Sequence, residues 1–190
     1  MRRLVALNFK EYEASPLGRA RFFGVLPVGE GEGNGLRRER YEWGEVLVLD
    51  RLGREAFFAY TYYTPSSEAA RNALLRYAFA QVLTGRGYTL KGRIGEVLVF
   101  LSPSGRTIFL ATKWGGYTPA GIRRIYDTLS RYLFQTGGLL WFSPAPKRLF
   151  GRFLKTHPSA EVIPEEVAKE ALEAFHRLRQ GPVPSPGGSG

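Results

Sequence analysis

The chain has 190 residues, 44% of them hydrophobic and 14% aromatic, enough apolar material for a packed core and incompatible with global disorder. It has no cysteine and two histidines, His157 and His176, which excludes disulfides, thiol catalysis, cysteine zinc sites and metal sites built on several imidazoles. The net charge is +10 and the isoelectric point about 10.1, a balance that attracts polyanions and speeds encounter with them.

The length fits one domain, or two small ones sharing a core. The basic start Met1-Arg2-Arg3 precedes an apolar stretch, Leu4 to Leu7, too short for a signal peptide. No apolar run reaches the roughly 18 residues that a membrane helix needs. The expected location is the cytoplasm, with no membrane partner.

The first third reads as antiparallel strands, expected over residues 1–65. Leu4–Phe9 is short and apolar. A Ser15-Pro16-Leu17-Gly18 turn leads to a strand over Arg19–Val28. The glycine-rich run Gly29–Gly35 reads as a loop, and Arg37-Arg38-Glu39-Arg40 after it as a basic finger or a plain charged loop. Tyr41–Asp50 and Glu55–Tyr63 pattern as a hairpin closed around Arg51-Leu52-Gly53-Arg54.

Residues 66–180 read as an α/β region packed with the first as one globular unit. Thr64-Pro65 supplies an N-cap and a first-turn proline for a helix to about Thr84, which has almost no polar face. Strands follow near Tyr88–Leu90, over Ile94–Leu101, and over Arg106–Lys113 after the turn Ser102-Pro103-Ser104-Gly105. Thr118-Pro119 caps a second helix, roughly Ala120–Phe134. Leu139–Phe142 is a short buried strand, and Ser143-Pro144 caps a third helix to about Lys155. Ala160–Ile163 reads as a last strand. Pro164–Gln180 is an amphipathic helix whose terminal charges suit its dipole. Residues 181–190 form a Pro/Gly/Ser tail, expected to be disordered. The fold class is therefore mixed α/β (α+β). Gly44-Glu45-Val46-Leu47-Val48 is echoed by Gly95-Glu96-Val97-Leu98-Val99. Each copy leads to Gly-Arg and then to Thr-Pro, as a duplicated ββα unit or a chance recurrence would.

Charge is unevenly spread. Residues 66–119 carry 7 Lys/Arg against 2 Asp/Glu and residues 120–160 carry 7 against 1, whereas residues 1–65 carry 10 against 9. Arginines outnumber lysines 21 to 6. Arginine makes planar, bidentate contacts to phosphate and guanine, and the same bias also arises in thermophiles. In the third helix Arg148, Arg152 and Lys155 fall at i, i+4 and i+7, a stripe able to track phosphates. Lys147 adjoins it. The second helix offers Arg124 and Arg131 seven apart, with Asp127 four from both Arg123 and Arg131 and able to pair with them. Trp114, Tyr117, Tyr62, Tyr63 and Trp43 lie at strand ends or loops, placed either to stack bases or to pack the rim of the core. No nucleophile–base arrangement is complete, so no catalytic residue is assigned, and no metal or other cofactor is expected.

From Ser66 to Ile163 the order is helix, three strands, helix, strand, helix, strand. With Gly87-Tyr88-Thr89 and Leu140-Trp141-Phe142-Ser143-Pro144, it resembles the restriction-endonuclease-like (PD-(D/E)xK) core. More narrowly it is similar to that domain in replication-relaxation and mobilisation proteins of plasmids and mobile elements. The resemblance implies an acid opening the second strand, matched by Glu96, and a lysine ending the third, matched by Lys113. The acid between them is replaced by Ala111. Magnesium requires hard carboxylate oxygens, so the resemblance implies a nuclease-like scaffold that binds without cutting, unless Glu68 or another acid substitutes. The expectation is a DNA-binding accessory protein of plasmid, phage or mobile-element origin, DNA being favoured over RNA. Arg124, Arg131, Lys147, Arg148, Arg152 and Lys155 would contact the backbone, with Lys113 and Trp114 near the same face. A metal-dependent nuclease using Glu96 and Lys113, and an interaction protein for an acidic partner, are the alternatives.

Overall fold

A computed structural model describes residues 7–8, 15–31, 35–56, 64–144 and 156–181. The fold is mixed α/β, with a six-stranded sheet of order β1-β5-β6-β7-β8-β9 and a three-stranded sheet of order β2-β4-β3. The chain forms two compact units: residues 1–10 with 79–171, and residues 11–78 with 172–190. The division passes within two helices, α3 (Ser67–Gly85) and α5 (Glu165–Leu178).

The unit of residues 11–78 and 172–190 holds α1 (Pro16–Phe23), β2 (Leu26–Pro27), β3 (Leu36–Tyr41), β4 (Gly44–Leu49) and α2 (Arg51–Glu55). Sequence reasoning expected a strand where α1 stands. Ser15-Pro16, read as a turn, is an N-cap followed by a first-turn proline, and the Ser15 hydroxyl accepts from the Gly18 amide at 3.0 Å. The basic segment after the glycine-rich run is not a loop. It is β3, an edge strand whose half-exposed face tolerates charge because the side chains find partners. Arg37 pairs with Glu39 and donates to Thr64 Oγ1 at 2.7 Å, and the Tyr41 hydroxyl donates to the Pro65 carbonyl at 2.6 Å. The hairpin therefore joins β3 to β4 around Glu42-Trp43. Residues 51–54, expected to close it, form α2, because Asp50 caps that turn by accepting from the Gly53 amide at 2.9 Å. Helix α3 begins two residues later than expected, at the point where Ser66 Oγ accepts from the Ala69 amide at 3.1 Å. The two echoed segments lie in β4 and at the start of β6, but Gly53-Arg54 is helical whereas Gly105-Arg106 follows a turn.

The unit of residues 1–10 and 79–171 is built on the larger sheet, with β1 (Leu7–Asn8), β5 (Thr89–Ile94), β6 (Val97–Leu101), β7 (Thr107–Thr112), β8 (Leu139–Ser143) and β9 (Ala160–Val162). Strands β1, β5, β6 and β7 are antiparallel, and β7, β8 and β9 are parallel. The expected strand Ile94–Leu101 is broken: Gly95, at φ 58°, and Glu96 make a two-residue turn, with Ile94 opposite Val97. The parallel β7–β8 pair needs a crossover, which α4 (Pro119–Thr136) provides. Thr118 caps α4 by accepting from the Gly121 amide at 3.1 Å, and left-handed Gly137 ends it. Ile122, Leu129 and Leu133 of α4 bury against Phe109, Ala111, Leu140 and Phe142 on one sheet face. The other face carries Leu98, Phe100, Leu110 and Trp141, all buried. Residues 145–155, where a helix was expected, Tyr62 and Tyr63, and the tail beyond Gly181 lie outside the described residues.

Two predictions test this reading. A methyl group on Gly53 would run into the Gly35 carbonyl oxygen, backbone that cannot give way. Gly53→Ala should cost about 2 kcal/mol or more in urea unfolding. Tyr77 is buried, and that burial, with a hydrogen bond to Glu30 and the nearby negative charge, pushes its phenol well above the ordinary value. Unfolded Tyr77 ionises first as pH rises past about 10. Stability should then fall by up to about 1.4 kcal/mol per pH unit, and Tyr77→Phe should flatten that alkaline slope.

Candidate nucleic-acid interface

The connection from β7 to α4 builds the site. Strand β7 ends at Thr112, and the Lys113 amide donates to the Ser143 carbonyl at 3.1 Å, tying the strand exit to the end of β8. Tyr117 packs its ring edgewise on Phe142 at 5.6 Å. Thr118 then starts α4, whose first turns lean over the sheet next to the Gly95-Glu96 turn. A cavity of about 320 Å³ lies between these elements. Its lining includes Glu96, Lys113 and Arg124, with Ala111 among the apolar residues.

The structure thus brings together Glu96 and Lys113, the two residues singled out on separate strands, and adds Arg124 from α4. One carboxylate faces two cations. Where a second carboxylate would sit, Ala111 presents a methyl group at 1% exposure. Glu68 stands in the first turn of α3 and groups with the other unit. Among the described residues no three histidine, aspartate or glutamate side chains gather to hold a metal ion. The donor set does not fit a magnesium ion, which takes several hard oxygens. The arrangement suits an anion such as a phosphate oxygen, which charge-assisted donors bind without a metal.

Arg123, Arg124 and Arg131 are all exposed on α4. Asp127, spaced so that it could pair with Arg123 and Arg131, forms no ion pair with either among the described residues. Those guanidinium groups remain available to solvent or to a ligand. Arg131 lies two turns beyond Arg124 and does not line the cavity. Trp114 follows Lys113 in the β7–α4 connection and is half-buried, outside the cavity lining. Lys147, Arg148, Arg152 and Lys155 lie outside the described residues. Phe134, on the last turns of α4, is 91% exposed.

Sequence reasoning missed Tyr132 and Lys91. They line a second cavity of about 380 Å³ under the C-terminal half of α4, together with Val99, Leu101 and Phe109. Tyr132 sits where the apolar stripe of α4 predicts an inward residue, but a stripe gives no sign of the space left beneath it. Neither a protein-family model, a curated protein nor a solved structure matches the chain.

Replacing Ala111 by Asp would set a second carboxylate beside Glu96. Isothermal titration should then show Mn²⁺ binding at least about tenfold tighter than in the wild type, as expected for an added charged ligand in a partly enclosed site.

Proposed function

We propose that this protein binds nucleic acid through the unit of residues 1–10 and 79–171, and that it does so without cutting it. The observation that carries this reading is the partition of charge. That unit holds 16 Lys/Arg against 6 Asp/Glu, whereas the unit of residues 11–78 and 172–190 holds 11 against 11. By sequence, the whole +10 falls within the residue ranges of the first unit. Charge serving solubility alone has no reason to segregate in this way, while a polyanion site needs it to.

Three further observations support the reading. The segment from α3 to β8 has the order helix, three antiparallel strands, helix, parallel strand, the element order on which the resemblance to a restriction-endonuclease-like core rests. Glu96 and Lys113 share a cavity, as they would in such a core, and the missing acid at Ala111 favours binding over hydrolysis. Arg123, Arg124 and Arg131 supply positive charge on one exposed helix. In this reading they contact backbone phosphates, with Lys113 at the cavity. DNA is favoured as the ligand, and the protein acts as an accessory factor of the kind the resemblance implies for plasmids or mobile elements.

The test is affinity for DNA and RNA across a salt series, with and without Mg²⁺. Binding should weaken steeply with salt, without cleavage. The triple variant R123A/R124A/R131A should lower the log–log salt slope by up to about 3, roughly one per lost phosphate contact. An unchanged slope would remove α4 from the interface, and no affinity for any nucleic acid would point to an acidic protein partner.

A further inference from the structure

The second cavity differs in chemistry from the first, though Ile94 borders both. Its walls are apolar: Val99 and Leu101 from β6, Phe109 from β7 and Tyr132 from α4. The Thr136 hydroxyl at its edge is turned away, donating to the Tyr132 carbonyl at 2.7 Å and accepting from the Gly138 amide at 3.2 Å. The Tyr132 hydroxyl has no hydrogen-bond partner among the described residues. Lys91 and Arg93 also line the cavity, and Lys91 is exposed. A register shift between Leu90 and Gly92 makes Lys91 the extra residue of a β-bulge, a device that re-aims a side chain. The opening is therefore an apolar slot with an aromatic wall and cations beside it. At 1.5 Å per residue, Tyr132 lies about 12 Å along α4 from Arg124, the reach of a few nucleotides.

Resting on the nucleic-acid reading, we infer that this second cavity receives an unpaired nucleobase, with Tyr132 as its stacking surface, while the flanking phosphates run past Lys91 toward Lys113 and Arg124. A base inside a duplex stack has both faces covered by its neighbours and cannot lay one on a side-chain ring. A mostly apolar slot whose main surface is an aromatic ring holds a base chiefly by stacking, which every base can supply. The ligand class is single-stranded nucleic acid, or duplex with an unpaired or extruded base, with little sequence preference.

The experiment compares one labelled single strand, the same strand with an abasic run, and the matching duplex, by fluorescence anisotropy. The wild type should bind the intact strand roughly tenfold more tightly than the abasic one, the effect of one lost stacking contact. Tyr132→Ala should bring the intact strand down to the abasic level, and Tyr132→Phe, which keeps the ring, should not. A fluorescent adenine analogue in the strand should be quenched by wild type and by Tyr132→Phe. Equal affinity for intact strand, abasic strand and duplex overturns the base slot while leaving nucleic-acid binding intact. No binding of any strand overturns both. An anionic acyl probe that binds saturably and is not displaced by the intact strand assigns the slot to an amphiphile and also overturns the inference. The abasic comparison uses the wild type alone, so it decides the matter even if Tyr132→Ala fails to fold.

Discussion

The parallel pairing of β7 with β8 sets the geometry of the basic unit. Two parallel neighbours cannot be joined by a tight turn, so the chain must leave the end of β7, cross the sheet and return. That return is α4, held by Ile122, Leu129 and Leu133 against Phe109, Leu140 and Phe142. A helix laid on a twisted sheet touches it best near its middle. Here a cavity lies under each half of α4, the polar one beside Lys113 and Arg124 and the apolar one beside Tyr132. Both candidate contacts with a ligand follow from one crossover.

The same crossover explains why the arginines of α4 lie open. Its inner stripe is spent on the core, so Arg123, Arg124 and Arg131 must face outward, and the single acid of the helix does not neutralise them. Gathering like charges on one body raises its energy through self-repulsion. A polyanion relieves that repulsion on binding and releases its own counterions. The neutral balance of the other unit keeps the opposing terms from being averaged over the whole chain.

Much of this architecture was legible in the residues. The Thr118-Pro119 cap, the Ser102–Gly105 turn, the strand at Leu139 and the charged ends of α5 all announce themselves locally. The errors have local causes too. Ser15-Pro16 carries the same cap signal as Thr118-Pro119, but the Ser-Pro-x-Gly pattern reads equally as a turn. The apolar run from Ile94 to Leu101 hides a hairpin, because its turn needs only Gly95 and Glu96. Arg37 to Arg40 look like a loop, since charge argues against a strand until Glu39, Thr64 and Pro65 are seen beside it. At the site, Glu96 and Lys113 could be matched from strand order. The joining of Arg124 to them depends on how α4 crosses the sheet, and the slot beside Tyr132 is empty space, which no residue encodes.

Phe134 has a consequence for how copies of this molecule treat one another. An aromatic ring at 91% exposure is adhesive, and proteins ordinarily keep such groups covered. Here it shares a helix with three uncompensated arginines on a body of strong positive charge. At low ionic strength that charge would oppose the approach of two such rings. Near physiological salt the screening length shrinks to roughly 8 Å, and the restraint weakens. Any association of copies through that ring would therefore be opposed at low salt and eased as salt rises, the inverse of a contact made by ion pairs.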